Sequence, residues 1–224
     1  MFERFAIFYT PTGPLADFGA AWLGWDSAAG CAVPHPQIAG IDVAKVTATP
    51  RKYGLHATMK APFRLSADSG PATLQQAVAD FAARHRAVDI GPLALGQDHG
   101  FVALRPVAAP PALQDLERAI VTELDPHRAP LTAADIARRR KAPLTLRQDR
   151  QMLDWGYPYV FEDFHLHLTL SGPLQAAQAA QILTALQPMV APLIAAPCII
   201  DAVTLMGQDV AGMFHQIHRY ALTG

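Results

Sequence analysis

Hydrophobic and polar positions divide the chain into two stretches with the same order of elements. Residues 4–10 are almost continuously apolar and end at Pro11-Thr12-Gly13-Pro14, which predicts a buried strand closed by a turn. Leu15, Phe18, Trp22 and Trp25 then recur at helical spacing, and their bulk predicts core packing rather than ligand stacking. Residues 30–50 carry Pro, Gly and Thr without a period and read mostly as loop. From residue 55 a strand-like run leads through a polar turn to a helical pattern over 71–86, then to strand-like runs over 88–95 and 101–105. A second run near 163–171 leads to a helical pattern over 174–190, then to strand-like runs over 198–206 and 213–222. Strand, helix, strand, strand thus occurs twice, and a repeated order of elements predicts a duplicated architecture. Between the repeats, residues 110–125 place Leu113, Leu116, Ile120 and Leu124 on one helical face.

Composition sharpens the picture. A chain of 224 residues, 51% of them apolar, has material for a sizeable core and suits one large domain or two small lobes. Its net charge of −1 implies no bulk attraction to nucleic acid or to a membrane surface. Cys31 and Cys198 stand apart, without metal or redox spacing, which predicts a reduced, cytoplasmic protein. No basic segment followed by a long apolar run opens the chain, so no secretory leader is expected. The apolar stretch 186–200 is interrupted by Pro188, Pro192 and Pro197 and is too short to span a bilayer. Residues 126–150 hold Arg128, Arg138, Arg139, Arg140, Lys141, Arg147 and Arg150, with Thr132 and Asp135 spaced as a helix N-terminal cap. We read this segment as a solvated connection and expect the 138–141 run to be dispensable for chemistry; the alternative is a basic flap that attracts an anionic substrate. The expected organisation is a first lobe over 1–125, a basic helical linker over 126–160 and a second lobe over 161–224.

The candidate chemistry lies where each repeat begins. Leu55-His56-Ala57-Thr58-Met59 and Leu166-His167-Leu168-Thr169-Leu170 both read apolar, His, any residue, Thr, apolar. On a strand, residues two apart share a face. His56, Thr58 and Lys60 are therefore expected on one face, and Asp163, His165, His167, Thr169 and Ser171 on another. An imidazole titrates near neutrality, so one histidine can start as base and the other as acid on opposite sides of a phosphorus atom. Thr58 and Thr169 can hydrogen-bond the non-bridging oxygens, and Lys60 can add positive charge where negative charge develops. The scheme requires no metal or other cofactor. Three alternatives stand beside it: a metal-dependent hydrolase built on Asp163, His165 and His167, a non-catalytic binder of a nucleotide or phosphosugar, and an interaction protein.

Longer strings around the two motifs resemble a known family. The stretch from Pro50 to Phe63, the run Trp155-Gly156-Tyr157-Pro158-Tyr159-Val160, and the run from Phe164 to Leu170 resemble the two-histidine (2H) phosphoesterase superfamily. They are most similar to an uncharacterised branch often encoded beside phosphonate-degradation genes. The resemblance implies an α+β, bilobed fold with two pseudo-symmetric antiparallel sheets, helices outside and a cleft between. It implies catalysis by His56 and His167 and phosphate contact by Thr58 and Thr169. Tyr53 and Lys60 match the branch's extended motif and become candidates for substrate binding; His165, from the strand face it is expected to share with His167, is a further candidate that could orient His167 or fill the cleft floor. The implied activity is opening of a cyclic phosphate on a nucleotide, an RNA end or a ribose, with phosphonate breakdown as the setting the branch suggests. The implied partner is a small phosphorylated substrate or RNA end. One departure is Trp25, where an arginine is expected in this branch.

Overall fold

The repeated order of elements folds into two antiparallel sheets that exchange strands. The computed structural model describes residues 2–98 and 100–224. In chain order the elements are β1 (Arg4–Tyr9), α1 (Gly13–Leu23), β2 (Trp25–Asp26), β3 (Cys31–Ala32) and α2 (Val43–Val46). The first repeat follows: β4 (Ala57–Phe63), α3 (Pro71–Arg84), β5 (Val88–Asp89), β6 (Leu93–Asp98) and β7 (Phe101–Pro106). The connection carries α4 (Pro111–Glu123), α5 (Ala133–Arg139) and α6 (Leu146–Trp155). The second repeat is β8 (Leu168–Thr169), α7 (Ala176–Val190), β9 (Ile199–Ile200), β10 (Ala202–Gln208) and β11 (Phe214–Ala221).

The two larger sheets have the orders β11-β10-β1-β4 and β6-β7-β8, and β2 pairs with β3 in a small separate ribbon. The hairpin of the second repeat thus shares a sheet with the motif strand of the first, and the hairpin of the first with the motif strand of the second. The helices follow the same exchange: α3 packs on β10 and β11, and α7 on β6 and β7. The short strands β5 and β9 pair with each other and tie the repeats together. The architecture is α+β with antiparallel sheets. The strands are not sorted by position along the chain, so a boundary near residue 125 cuts through both sheets.

The local reasons are ordinary. β1 is buried on both faces: Phe5, Ile7 and Tyr9 join the main core, while Ala6 and Phe8 join a smaller cluster with Met206 and Phe214. This is why its sequence shows an apolar run rather than alternation. Helix α1 ends at Gly24, in the left-handed region at φ 74°, whose N–H donates to the Ala20 carbonyl at 2.9 Å. Trp25 therefore falls outside the helix. Its indole donates to the Phe214 carbonyl at 2.9 Å, and that of Trp22 to the Leu170 carbonyl at 2.7 Å. Both tryptophans are buried, as their bulk predicts, although Trp25 does not continue the helical spacing of Leu15, Phe18 and Trp22. Thr132 and Asp135 cap α5 reciprocally, and Thr145 and Gln148 do the same for α6. Among the described residues, no helix is long and apolar enough to cross a membrane.

Candidate active site

A tight turn sets up the first histidine. The single 3-10 turn over Pro50–Tyr53 ends at Gly54, whose φ of 70° and ψ of 179° suit glycine, and a β-carbon there would meet the Ser27 hydroxyl at 2.9 Å. The Gly54 carbonyl accepts a hydrogen bond from Nδ1 of His56 at 2.9 Å. A carbonyl only accepts, so Nδ1 carries the proton, and Nε2 of the neutral ring keeps its lone pair. The ring stacks on Phe8 with centroids 4.0 Å apart and has Tyr53 at 5.4 Å. Tyr53 in turn stacks on Phe214 at 4.9 Å. The Thr58 hydroxyl lies 3.3 Å from Nε2. Burial among these rings pushes the His56 pKa down to about 4, with the nearby His167 adding to the effect and the Gly54 bond opposing it.

The second histidine is held in the same way. Nδ1 of His167 donates to the carbonyl of His165, two residues before it, at 2.8 Å. Its ring lies against Phe101 with centroids 5.4 Å apart. β8 pairs with β7 through Ala103↔Thr169 and Leu104↔Leu168, which fixes Thr169 beside the histidine. His56, Thr58, His167 and Thr169 all line one cavity of about 820 Å³, together with Tyr53 and Ser171. The duplicated motif thus places two imidazoles, each anchored at Nδ1, on a common space.

Other candidates from the sequence go elsewhere. Lys60 does not line this cavity. Its ammonium donates to the Val121 carbonyl at 2.8 Å and to Asp125 at 3.0 Å, and the residue is 4% exposed. The reason is a bulge in β4: Phe8 pairs with Thr58, but Ile7 pairs with Lys60 and not Met59. One extra residue transfers Lys60 to the opposite face. His165 is also off the cleft; its exposed side chain lines a separate cavity with Arg105 and Phe164, and only its carbonyl serves the site. The expected shared face of Asp163, His165 and His167 fails because residues 161–163 form a 3-10 turn and pairing starts only at Leu168. Asp163 is held by Arg147 at 2.7 Å and Gln148 at 3.1 Å. Among the described residues, no group of three or more His, Cys, Asp or Glu side chains converges as a metal site.

For part of the 138–141 run, the basic-flap alternative is favoured over the solvated connection, because the same cavity has a basic wall. Arg4, Arg64, Arg138 and Arg139 line it, with Glu3 and Asp135 as the carboxylates. Part of the run expected to be a solvated connection therefore faces the site, because capped α5 folds back over the cleft. Burial alone would raise the Asp135 carboxyl. Thr132, Arg138 and Arg64 donate to it and hold it well below the usual carboxylate range. Arg139 lies over the Tyr157 ring at 5.0 Å. Arg140 instead pairs with Asp149 at 2.7 Å on the outside, where it is half-exposed. Arg64 closes the stretch that continues the first motif; the inward turn of α5 carries no comparable signal in the sequence.

A family model described as protein of unknown function (DUF1045) matches residues 58–215. Among curated proteins, the chain is similar to ribose 1,5-bisphosphate phosphokinase PhnN of Janthinobacterium sp. (strain Marseille), at 35% identity over 218 residues, 93% of this chain and 48% of that protein. It is also similar to the protein of the same name from Laribacter hongkongensis (strain HLHK9), at 34% identity over 175 residues, 76% of this chain and 40% of that protein. The chain spans about half or less of the length of these relatives. Among solved structures it is similar to E. coli LigT in apo form, with a TM-score of 0.49 and 14% identity over 100% of this chain and 99% of that one. For E. coli LigT complexed with 3′-AMP the values are 0.48 and 16%, over 100% of both chains.

Proposed function

The chain belongs to the DUF1045 family, and from that premise and the cleft we propose that it is a metal-independent phosphodiesterase that opens a cyclic phosphate on a small phosphorylated substrate. The observation that carries this reading is the matched anchoring of His56 and His167, each through Nδ1 to the carbonyl two residues earlier, around one cavity. His56, half-buried against Phe8 and kept neutral, acts as the base. Nε2 takes a proton from water as the water oxygen bonds to phosphorus. The bond from phosphorus to the leaving oxygen breaks on the far side, and that oxygen takes a proton from Nε2 of His167. Thr58 and Thr169 donate to the non-bridging oxygens. Tyr53 stacks beside His56 and offers a surface for the substrate's ring.

The kinase activity in the relatives' name is not carried over to this chain, which spans about half or less of their length. The present sequence has no Gly-Lys dipeptide, and so no phosphate loop of the Gly-x-x-x-x-Gly-Lys type. The test is turnover of 2′,3′-cyclic nucleotides and ribose cyclic phosphates by purified protein with a chelator present. Ring opening is expected in the wild type and is lost in His56→Ala and His167→Ala. Folded single variants that turn over these substrates at the wild-type rate overturn the reading.

A further inference from the structure

We propose that Arg4, Arg64, Arg138 and Arg139 form a second anion site, which takes a phosphomonoester carried by the same molecule whose cyclic phosphate sits between the histidines. The inference rests on the reading above and narrows it to substrates with two separate phosphate groups. The four arginines come from β1, the end of β4 and α5, segments far apart in sequence, and they meet on one wall of the cavity that holds the histidines. They outnumber the lining carboxylates, Glu3 and Asp135. Asp135 is fully engaged: one oxygen accepts from Arg138 at 2.8 Å, and the other accepts from Arg64 and from the Thr132 hydroxyl. A buried carboxylate bound to both guanidinium groups fixes their orientation while leaving further N–H donors for a ligand. Arg139 is held over Tyr157, and its Nε is buried without a hydrogen-bond partner among the described residues. That enclosed Nε is out of a ligand's reach, and the remaining N–H groups of the guanidinium are the donors a phosphate in the cavity would meet. Guanidinium groups in fixed planes match phosphate bidentately. The cavity, about 820 Å³, is larger than a cyclic phosphate needs and lies in the range of sites for whole small molecules.

The test is calorimetric binding of adenosine 2′,5′-bisphosphate against adenosine 2′-monophosphate, with a 2′-phosphorylated dinucleotide as third probe. The wild type is expected to prefer the bisphosphate by at least about ten-fold, the factor of one charge-assisted contact. In Arg138→Gln/Arg139→Gln the preference should fall to within about two-fold, and the corresponding lysine pair should keep part of it. Arg138→Gln alone, at an exposed side chain, is the second variant should the pair not fold; it should reduce the preference without abolishing it. Equal wild-type binding of both mononucleotides overturns the proposal, as does a variant that weakens both probes equally. A dinucleotide bound as tightly as the bisphosphate assigns the arginines to a nucleic-acid backbone and also overturns it. Preference for the bisphosphate with no turnover of any cyclic phosphate keeps the anion site and rejects the hydrolase; turnover without preference does the reverse.

Discussion

Acidification from pH 7 to pH 4 is expected to remove stability that belongs to His56 alone. The ring is stacked on Phe8 with Tyr53 beside it, and this burial lowers its pKa from 6.5 to about 4. The unfolded chain takes up the proton near the ordinary value, whereas the folded chain waits until about pH 4. Between these limits the unfolded state binds more protons, so stability falls as pH falls and is fully present only above the unfolded pKa. At about 1.36 kcal/mol per unit, the full window is on the order of 3 kcal/mol. This is an upper value, because one edge of the ring faces the wet cleft. The assay is urea unfolding followed by tryptophan fluorescence between pH 4 and 7.5, in wild type and in His56→Gln. The difference between the two curves isolates this one group from the carboxylates. As the base, His56 also predicts an acid limb of kcat/KM near pH 4 rather than 6.5. A stability difference that stays flat across the window, or an NMR titration of this ring at or above 6.5, refutes the reasoning.

Three further outcomes follow from the same geometry. Lys60→Met removes the bonds to Val121 and Asp125 while Asp125 keeps Arg128 at 2.8 Å; the expected cost is about 1–3 kcal/mol in urea unfolding, with KM within about two-fold, and a ten-fold rise in KM would return Lys60 to the cleft. Burial raises the Glu117 pKa to about 7, opposed by the N–H of Phe161. Native stability should therefore decline as pH rises from about 4.5 to 7, and Glu117→Gln should gain up to about 3 kcal/mol over wild type at pH 8 but not at pH 4; an equal difference at both pH values contradicts this. Loss of either cleft histidine should reduce kcat by about 10²–10⁴-fold, and loss of both by little more, because groups that act as a unit are non-additive; multiplicative losses in a double-mutant cycle would show independent roles.

The sequence by itself determined what depends on local spacing. The two strand-helix-strand-strand repeats, the cap of α5, the core role of Trp22 and the pairing of His56 with Thr58 all follow from periodicity, turn residues and short-range chemistry. So does the family resemblance, which rests on strings of adjacent residues. Tertiary structure alone decided three matters. The exchange of hairpins between the sheets depends on pairings across much of the chain, which no local period encodes. The fate of Lys60 turned on one extra residue in β4, and alternation has no means of registering a slip that arises only when β1 is laid beside it. The basic run was divided by the packing of α5: Arg138 and Arg139 turn to the cleft and Arg140 turns outward to Asp149. Charge along a chain reports how many cations are present, while the direction each one faces is set by the surface against which its helix comes to rest.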